Sequence, residues 1–139
     1  MKYGKLIVEK KELLLLQQII SRIPKRIDES YRVSIERLSE ELRSATVLAD
    51  NEMPADVVRF NSIVTILDFK RKPHAFQIVS PEKGNIAKQK LSIIAPMGLA
   101  LFGYSQDDVV KWQFPGGVQD ITIMKVEQDE PHLKALSHD

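Results

Sequence analysis

The sequence predicts an α+β protein with a helical part at residues 1–50 and a strand-rich part at residues 51–139. Two observations predict this class. Apolar residues before residue 50 recur at helical spacings of three and four, whereas short β-branched runs dominate after it. A chain of 139 residues is long enough for one ordinary core with an extension, but too short for two full domains.

The N-terminal part opens with an extended segment at residues 5–8 and continues as two helices. The first helix should end before Pro24, because a residue that precedes proline is pushed out of the α region. The second helix carries a narrow heptad seam with its charged side chains outside the seam. The two apolar faces consist of Leu13, Leu16, Ile20 and Ile23 in the first helix and of Tyr31, Ile35, Leu38, Leu42, Ala45 and Ala49 in the second.

The short polar turn between these helices predicts an antiparallel hairpin, that is, a short coiled coil. Its placement has two interpretations. A helix that lies on a sheet usually shows a broader apolar face than a strict seam, so the narrow second stripe favours a hairpin that projects from the rest of the protein. The alternative, which is common for amphipathic helices, is that both helices lie on the sheet.

Five strands are expected after residue 50, at residues 57–69, 75–79, 91–95, 110–114 and 121–126. The first is long and apolar on both faces, with a bend or bulge at Asn61 and Ser62. A short helix at residues 97–102 follows Pro96, which suits a first helical turn, and precedes Gly103, which suits the C′ position. Because this helix is almost wholly apolar, it should be buried under a small, twisted, mainly antiparallel sheet.

The sequence Pro115-Gly116-Gly117 is interpreted as a turn that joins two strands. A phosphate loop is disfavoured there, since no helix follows and no lysine or threonine stands at the spacing of a nucleotide-binding loop. The histidines lack acidic partners at ligand spacing and are interpreted as solvated, and no catalytic triad or carboxylate pair is visible. We therefore expect no enzyme activity and no cofactor. The histidines concerned are His74, His132 and His138.

Composition narrows the remaining classes of function. Twenty basic residues stand against nineteen acidic ones, and the near-balance holds on both sides of residue 50, which disfavours tight, autonomous DNA binding. The absence of cysteine excludes disulfides, thiolate metal sites and a cysteine nucleophile. No apolar run approaches the roughly 20 residues that span a bilayer. A cytoplasmic protein without membrane contact is predicted.

Several motifs in the second part occur together in one known family. The segment IAPMGLALFG at residues 94–103, with Asp108, Trp112 and residues 115–117, resembles the C-terminal domain of the bacterial Gre transcript-cleavage factors. The segment MPADVV at residues 53–58 and the pair Asn61-Ser62 are more similar to the shorter relatives of the regulator of nucleoside diphosphate kinase type. The resemblance covers residues 53–128.

The resemblance implies an FKBP-like domain preceded by an antiparallel coiled coil. It also implies binding to RNA polymerase at the rim of the secondary channel, with the hairpin tip placed into the channel and nucleic acid met only indirectly, within the elongation complex. The segment that would dock on the polymerase comprises Ile94, Ala95, Pro96 and Met97. A monomer is expected, although the short seam leaves weak dimerisation open.

The tip of the hairpin departs from the Gre pattern. Gre factors carry acidic tip residues that help to hold a catalytic magnesium ion, in an Asp-Leu-Lys-Glu-Asn-type segment that is missing here. Only Asp28 and Glu29 could share such an ion, beside Lys25 and Arg26, which oppose a clean negative charge. The alternative interpretation is that Asp28 or Ser30 is the N-cap of the second helix, and that acids in its first turn interact favourably with the helix dipole.

The length of the first helix supports the same conclusion as the tip sequence, namely that this protein differs from the Gre cleavage factors. The first helix, at residues 10–23, would span only about 20 Å. We therefore expect occupancy of the channel and competition with cleavage factors, not stimulation of cleavage. Two other functions stay open: an FKBP-like prolyl isomerase or chaperone, and an interaction module with a different partner.

Overall fold

The structure is a computed structural model that describes residues 1–114 and 116–129. Pro115, His132 and His138, on which predictions were made above, lie outside the described residues. The first part contains strand β1 (Ile7–Glu9), helices α1 (Lys10–Ser21) and α2 (Glu29–Arg43), and strand β2 (Thr46–Leu48). The second part contains β3 (Ile63–Leu67), β4 (Pro73–Val79), β5 (Lys90–Ser92), α3 (Pro96–Leu101), β6 (Val109–Phe114) and β7 (Gly117–Glu127).

The five strands of the second part form one sheet in the order β5-β4-β3-β7-β6. Every neighbouring pair is antiparallel except β4 and β5, which are parallel. Alternate residues such as Val64, Ile66 and Trp112 are buried on one face of the sheet, as the period of two along a strand requires. The prediction of an α+β protein with a mainly antiparallel sheet is thus confirmed.

Helix α3 lies in the core between the two residues that were expected to delimit it. Pro96 occupies its first turn, and Gly103 adopts a positive φ of 82° just beyond its end. The helix packs closely on the preceding backbone, because a Cβ added at Gly98 would stand 2.6 Å from the carbonyl oxygens of both Ser92 and Ile93. Only glycine fits this contact, which fixes the position of the segment that enters α3.

Helix α2 lies on the sheet domain, so the prediction of a projecting hairpin is wrong for this helix. The Ser34 hydroxyl donates to the carbonyl of Gln113 at 2.7 Å, and the Arg37 guanidinium donates to the carbonyl of Lys111 at 2.5 Å. The side chain of Leu38 is fully buried in the same core cluster as the sheet residues. The physical reason is that α2 finds both apolar and hydrogen-bonding partners along the edge of β6.

Helix α1 is tied to the same core. Leu16 is fully buried, and Glu12 receives two hydrogen bonds from the Arg59 side chain and one from the backbone N–H of Phe60. Hydrophobic residues from both sides of residue 50 therefore share one core. The division into domains at residue 50 and a coiled-coil seam between α1 and α2 stay predictions.

Several element boundaries differ from the expectation: β5 spans Lys90–Ser92 and not residues 91–95, and α1 ends at Ser21 and not at residue 23. Helix α2 ends at Arg43, and the following residues form β2, which pairs in parallel with β1 through the hydrogen bond from Thr46 N to Leu6 O at 2.8 Å. Strand β3 spans only Ile63–Leu67, because the chain turns before it at Asn61, where φ is 70°. The predicted bend at Asn61 is confirmed, but the long strand at 57–69 is wrong.

Candidate functional site

The segment at residues 94–97 forms the junction between β5 and α3. All four of its residues, Ile94, Ala95, Pro96 and Met97, are partly exposed. The preceding Ile93 is fully buried, and its N–H donates to the carbonyl of Val79 at 2.7 Å. The segment is therefore a mainly apolar surface held on a rigid base.

The predicted tip lies in the loop between α1 and α2, and its first acid is a helix cap. The Asp28 carboxylate accepts the Tyr31 N–H at 2.9 Å and the Ser30 hydroxyl at 2.7 Å, in the geometry of an N-cap. The Ser30 hydroxyl, with the Tyr31 N–H, lowers the pKa of Asp28 below its ordinary value. The capping interpretation of Asp28 is confirmed.

The other charged tip residues do not gather around Asp28 to form a metal site. Glu29 pairs with Arg32 one turn along the helix, while Lys25 and Arg26 are exposed in the loop. Within residues 1–114 and 116–129, no group of three or more acidic or histidine side chains is placed to hold a metal ion. A magnesium ion shared by Asp28 and Glu29 with a partner stays a prediction.

The structure brings the tip loop and the segment at residues 94–97 together. The Tyr31 hydroxyl donates a hydrogen bond to the carbonyl of Ile94. Between them lies a groove of about 430 Å³, whose apolar wall includes Ile23, Ile27 and Tyr31. Burial of the Tyr31 ring in this position raises the pKa of its hydroxyl, which stays protonated and able to donate. The two candidate sites are thus parts of one surface.

Sequence reasoning missed the polar contacts that fix α2 on the domain. The Arg37 guanidinium lies 4.9 Å from the centre of the Trp112 ring, and the Tyr104 hydroxyl donates to Glu41 at 2.9 Å. Burial and the Glu41 carboxylate raise the pKa of Tyr104 above its ordinary range. Arg37 and Glu41 are among the charged residues that were placed outside the heptad seam of the second helix. No pattern in the sequence indicated these contacts, because each joins side chains that lie far apart along the chain.

Three of the aromatic residues that a prolyl isomerase could use, Trp112, Tyr104 and Phe102, lie in the core and not at the surface. Trp112 is fully buried, and Tyr104 and Phe102 are almost so. Their rings pack in the hydrophobic core and therefore cannot form the wall of a substrate pocket. Among the described residues, no helix is both long enough and apolar enough to span a bilayer.

Comparison with known proteins identifies relatives of this chain. A family model described as transcription elongation factor GreA/GreB, C-terminal, matches residues 53–128. Transcription elongation factor GreA of Thermotoga neapolitana is 34% identical over 93 residues, which are 66% of this chain and 59% of that protein. The regulator of nucleoside diphosphate kinase of Escherichia coli K12 is 37% identical over 82 residues, 58% of this chain and 60% of that protein. The matches thus span about three fifths of the length of these relatives.

A solved structure extends the similarity to the helical part. The structure described as prokaryotic transcription elongation factor GreA/GreB from Nitrosomonas europaea superposes with a TM-score of 0.68 at 27% identity. The superposition covers 89% of this chain and 98% of that one. The combination of two N-terminal helices with the sheet domain is therefore shared with that protein.

Proposed function

The chain belongs to the GreA/GreB family of transcription elongation factors, and we propose that it is a regulator that binds RNA polymerase at the rim of the secondary channel. The observation that carries this proposal is the family match across residues 53–128, which includes the surface at residues 94–97. The relatives are named as elongation factors, and the same docking domain implies the same partner.

Docking would use the exposed apolar parts of Ile94, Pro96 and Met97. Pro96 and the close packing of Gly98 hold this surface in one shape, so little conformational entropy is lost when a partner covers it. The side chain of Ala95 is a methyl group and has no polar atom. The contact is therefore apolar and depends on shape.

The tip supports competition with cleavage factors, not cleavage. Asp28 is committed to capping α2, and Glu29 is paired with Arg32, so neither carboxylate is held ready for a metal ion. Because α2 lies on the domain along β6, the tip stays beside Ile94 and has little reach into a channel. A bound molecule would occupy the channel entrance and exclude longer factors that dock on the same rim.

Other properties follow from this proposal. The chain would act in the cytoplasm as a monomer, without a cofactor or intrinsic catalysis of its own. An FKBP-like topology of the sheet domain, implied by the family resemblance, belongs to the same proposal.

Halted and backtracked elongation complexes test the proposed activity. We expect the purified protein alone to leave the transcript at full length, and to slow its shortening by an added Gre cleavage factor severalfold. The double variant Asp28→Ala plus Glu29→Ala should behave like the unaltered protein in both respects. Efficient transcript shortening by the protein alone, abolished in this double variant, would show that the tip supplies a metal ligand and would refute the proposal.

A further inference from the structure

One stretch of the chain is strongly basic although the whole is nearly neutral. Residues 69–90 contain six lysines and arginines against one acid, a net charge of +5, whereas the complete chain carries +1. The near-balance of basic and acidic residues within each half of the sequence conceals this concentration of positive charge. The basic residues are Lys70, Arg71, Lys72, Lys83, Lys88 and Lys90.

The turn between β3 and β4 presents three of these cations to solvent. Asp68 accepts the backbone N–H groups of Lys70 at 2.8 Å and Lys72 at 2.9 Å, and its other oxygen lies 2.9 Å from His74 Nε2. The Lys72 N–H, followed by His74, lowers the pKa of Asp68. The nearest carboxylate is therefore engaged within the turn, and the side chains of Lys70, Arg71 and Lys72 are exposed.

These cations are available for a partner. In the part of the chain that the structure describes, no carboxylate lies within ion-pairing distance of Arg71, Lys72, Lys88 or Lys90. By contrast, Arg59, which lies outside this basic stretch, has two acidic partners, Glu12 and Asp50. Unpaired cations that stand together repel one another, and a bound polyanion would relieve that repulsion.

Two grooves adjoin the turn, and each contains an exposed apolar or aromatic side chain. A groove of about 350 Å³ beside β4 is lined by Pro73, His74, Phe76, Ile86 and Lys90. Ile86 there is 89% exposed. The second groove, of about 560 Å³, is lined by Phe69, Lys111 and Asp120 among others, and Phe69 is 56% exposed. Each groove thus combines a cation with an exposed side chain, Lys90 with Ile86 in the first and Lys111 with Phe69 in the second.

We propose that this surface, formed by Phe69, Lys70, Arg71, Lys72, Ile86, Lys88 and Lys90, binds single-stranded nucleic acid. The cations would contact phosphates, and the Phe69 ring would stack on a base, which is the combination used for strands bound without sequence preference. An acidic peptide would satisfy the charges but has no base to stack on the exposed Phe69 ring, whose centre lies 5.6 Å from Lys70 Nζ. Direct contact with a transcript would add to polymerase docking. The proposed surface shares no residue with the docking segment at residues 94–97.

Fluorescence anisotropy with a labelled single-stranded oligoribonucleotide tests this surface on the full chain. The variant Arg71→Gln plus Lys72→Gln should bind at least about tenfold more weakly at low salt. The slope of log affinity against log salt should fall by about 0.7 for each phosphate that is no longer neutralised. Phe69→Ala should weaken binding about tenfold, because a base can no longer stack on the ring. Arg71→Gln keeps a side chain at a residue whose φ is 60°, so the turn should survive.

The matched control is Lys5→Gln plus Lys10→Gln, which removes the same charge from exposed positions in the first part of the chain. This variant should bind the oligoribonucleotide nearly as well as the unaltered protein. Equally weakened binding in the two double variants would show that only net charge matters and would overturn the proposal. It would also fail if an acidic peptide bound as tightly as the oligoribonucleotide and Phe69→Ala left both affinities unchanged, since the surface would then serve an acidic protein.

Discussion

Replacement of Gly98 by alanine is expected to lower the free energy of unfolding by about 3 kcal/mol, near the upper end for an overpacked core site. The added Cβ would stand 2.6 Å from the carbonyl oxygens of Ser92 and Ile93. Both obstacles are backbone atoms, which cannot rotate away as a flexible side chain could. Relief requires α3 to move off β5, and that movement displaces the whole segment at residues 94–97.

Urea denaturation followed by circular dichroism measures this effect. The control is Gly116→Ala, because a Cβ at Gly116 meets no atom within 4 Å. We expect the control to differ from the unaltered protein by less than about 0.5 kcal/mol. Equal stability of the two glycine variants would mean that α3 does not pack on β5 as closely as described.

Truncation of Leu38 to alanine should cost about 3 kcal/mol, within the usual range for a fully buried leucine. Leu38 lies on α2 but belongs to the core cluster that includes sheet residues such as Ile66 and Ile123. Its truncation should therefore lower the stability of the sheet domain as well as that of the helix. This distinguishes a helix that lies on the domain from one that projects.

The appropriate comparison is Val33→Ala on the same helix, where the side chain is 39% exposed and the cost should be small. Unfolding should be followed both by the fluorescence of Trp112, which reports on β6, and by the helical signal in circular dichroism. Both probes should shift together in Leu38→Ala. A shift of the helical signal alone would indicate a separate hairpin and contradict the described packing.

Local signals in the sequence were sufficient where a residue type determines the backbone. Pro96 and Gly103 delimited α3 to within one residue, since proline suits a first turn and glycine suits a positive φ. The N-cap of α2 was predicted at Asp28 or Ser30, from the preference of aspartate and serine for this position, and the structure places Asp28 there.

The sequence failed where long-range contacts decided the outcome. Ala45 and Ala49 continue the heptad seam, but pairing of Thr46 with β1 ends the helix before them. The seam of α2 is narrow because Ser34 and Arg37 join the helix to β6 through hydrogen bonds, so this interface needs no broad apolar stripe. Hydrogen bonds to a backbone far along the chain leave no periodic pattern in the sequence.

The surface shared by the tip and the docking segment was also beyond prediction. The two regions lie far apart in the sequence, and the bond from the Tyr31 hydroxyl to the Ile94 carbonyl depends on the placement of the whole helix. The basic surface around Lys72 was missed for a different reason. The charges of each half of the chain nearly cancel, and this balance hides a short basic stretch among acidic neighbours.

Docking on RNA polymerase through residues 94–97, as proposed above, is tested by equilibrium binding to purified core polymerase. We expect Ile94→Ser to weaken binding at least about tenfold, because it removes an apolar contact, while Val47→Ser, at a 45% exposed position on β2, leaves the affinity unchanged. Thermal melts should first show that both variants are folded. Bound protein should also be displaced by an excess of a Gre cleavage factor. Undiminished binding of Ile94→Ser, or no binding of the unaltered protein, would contradict the proposal.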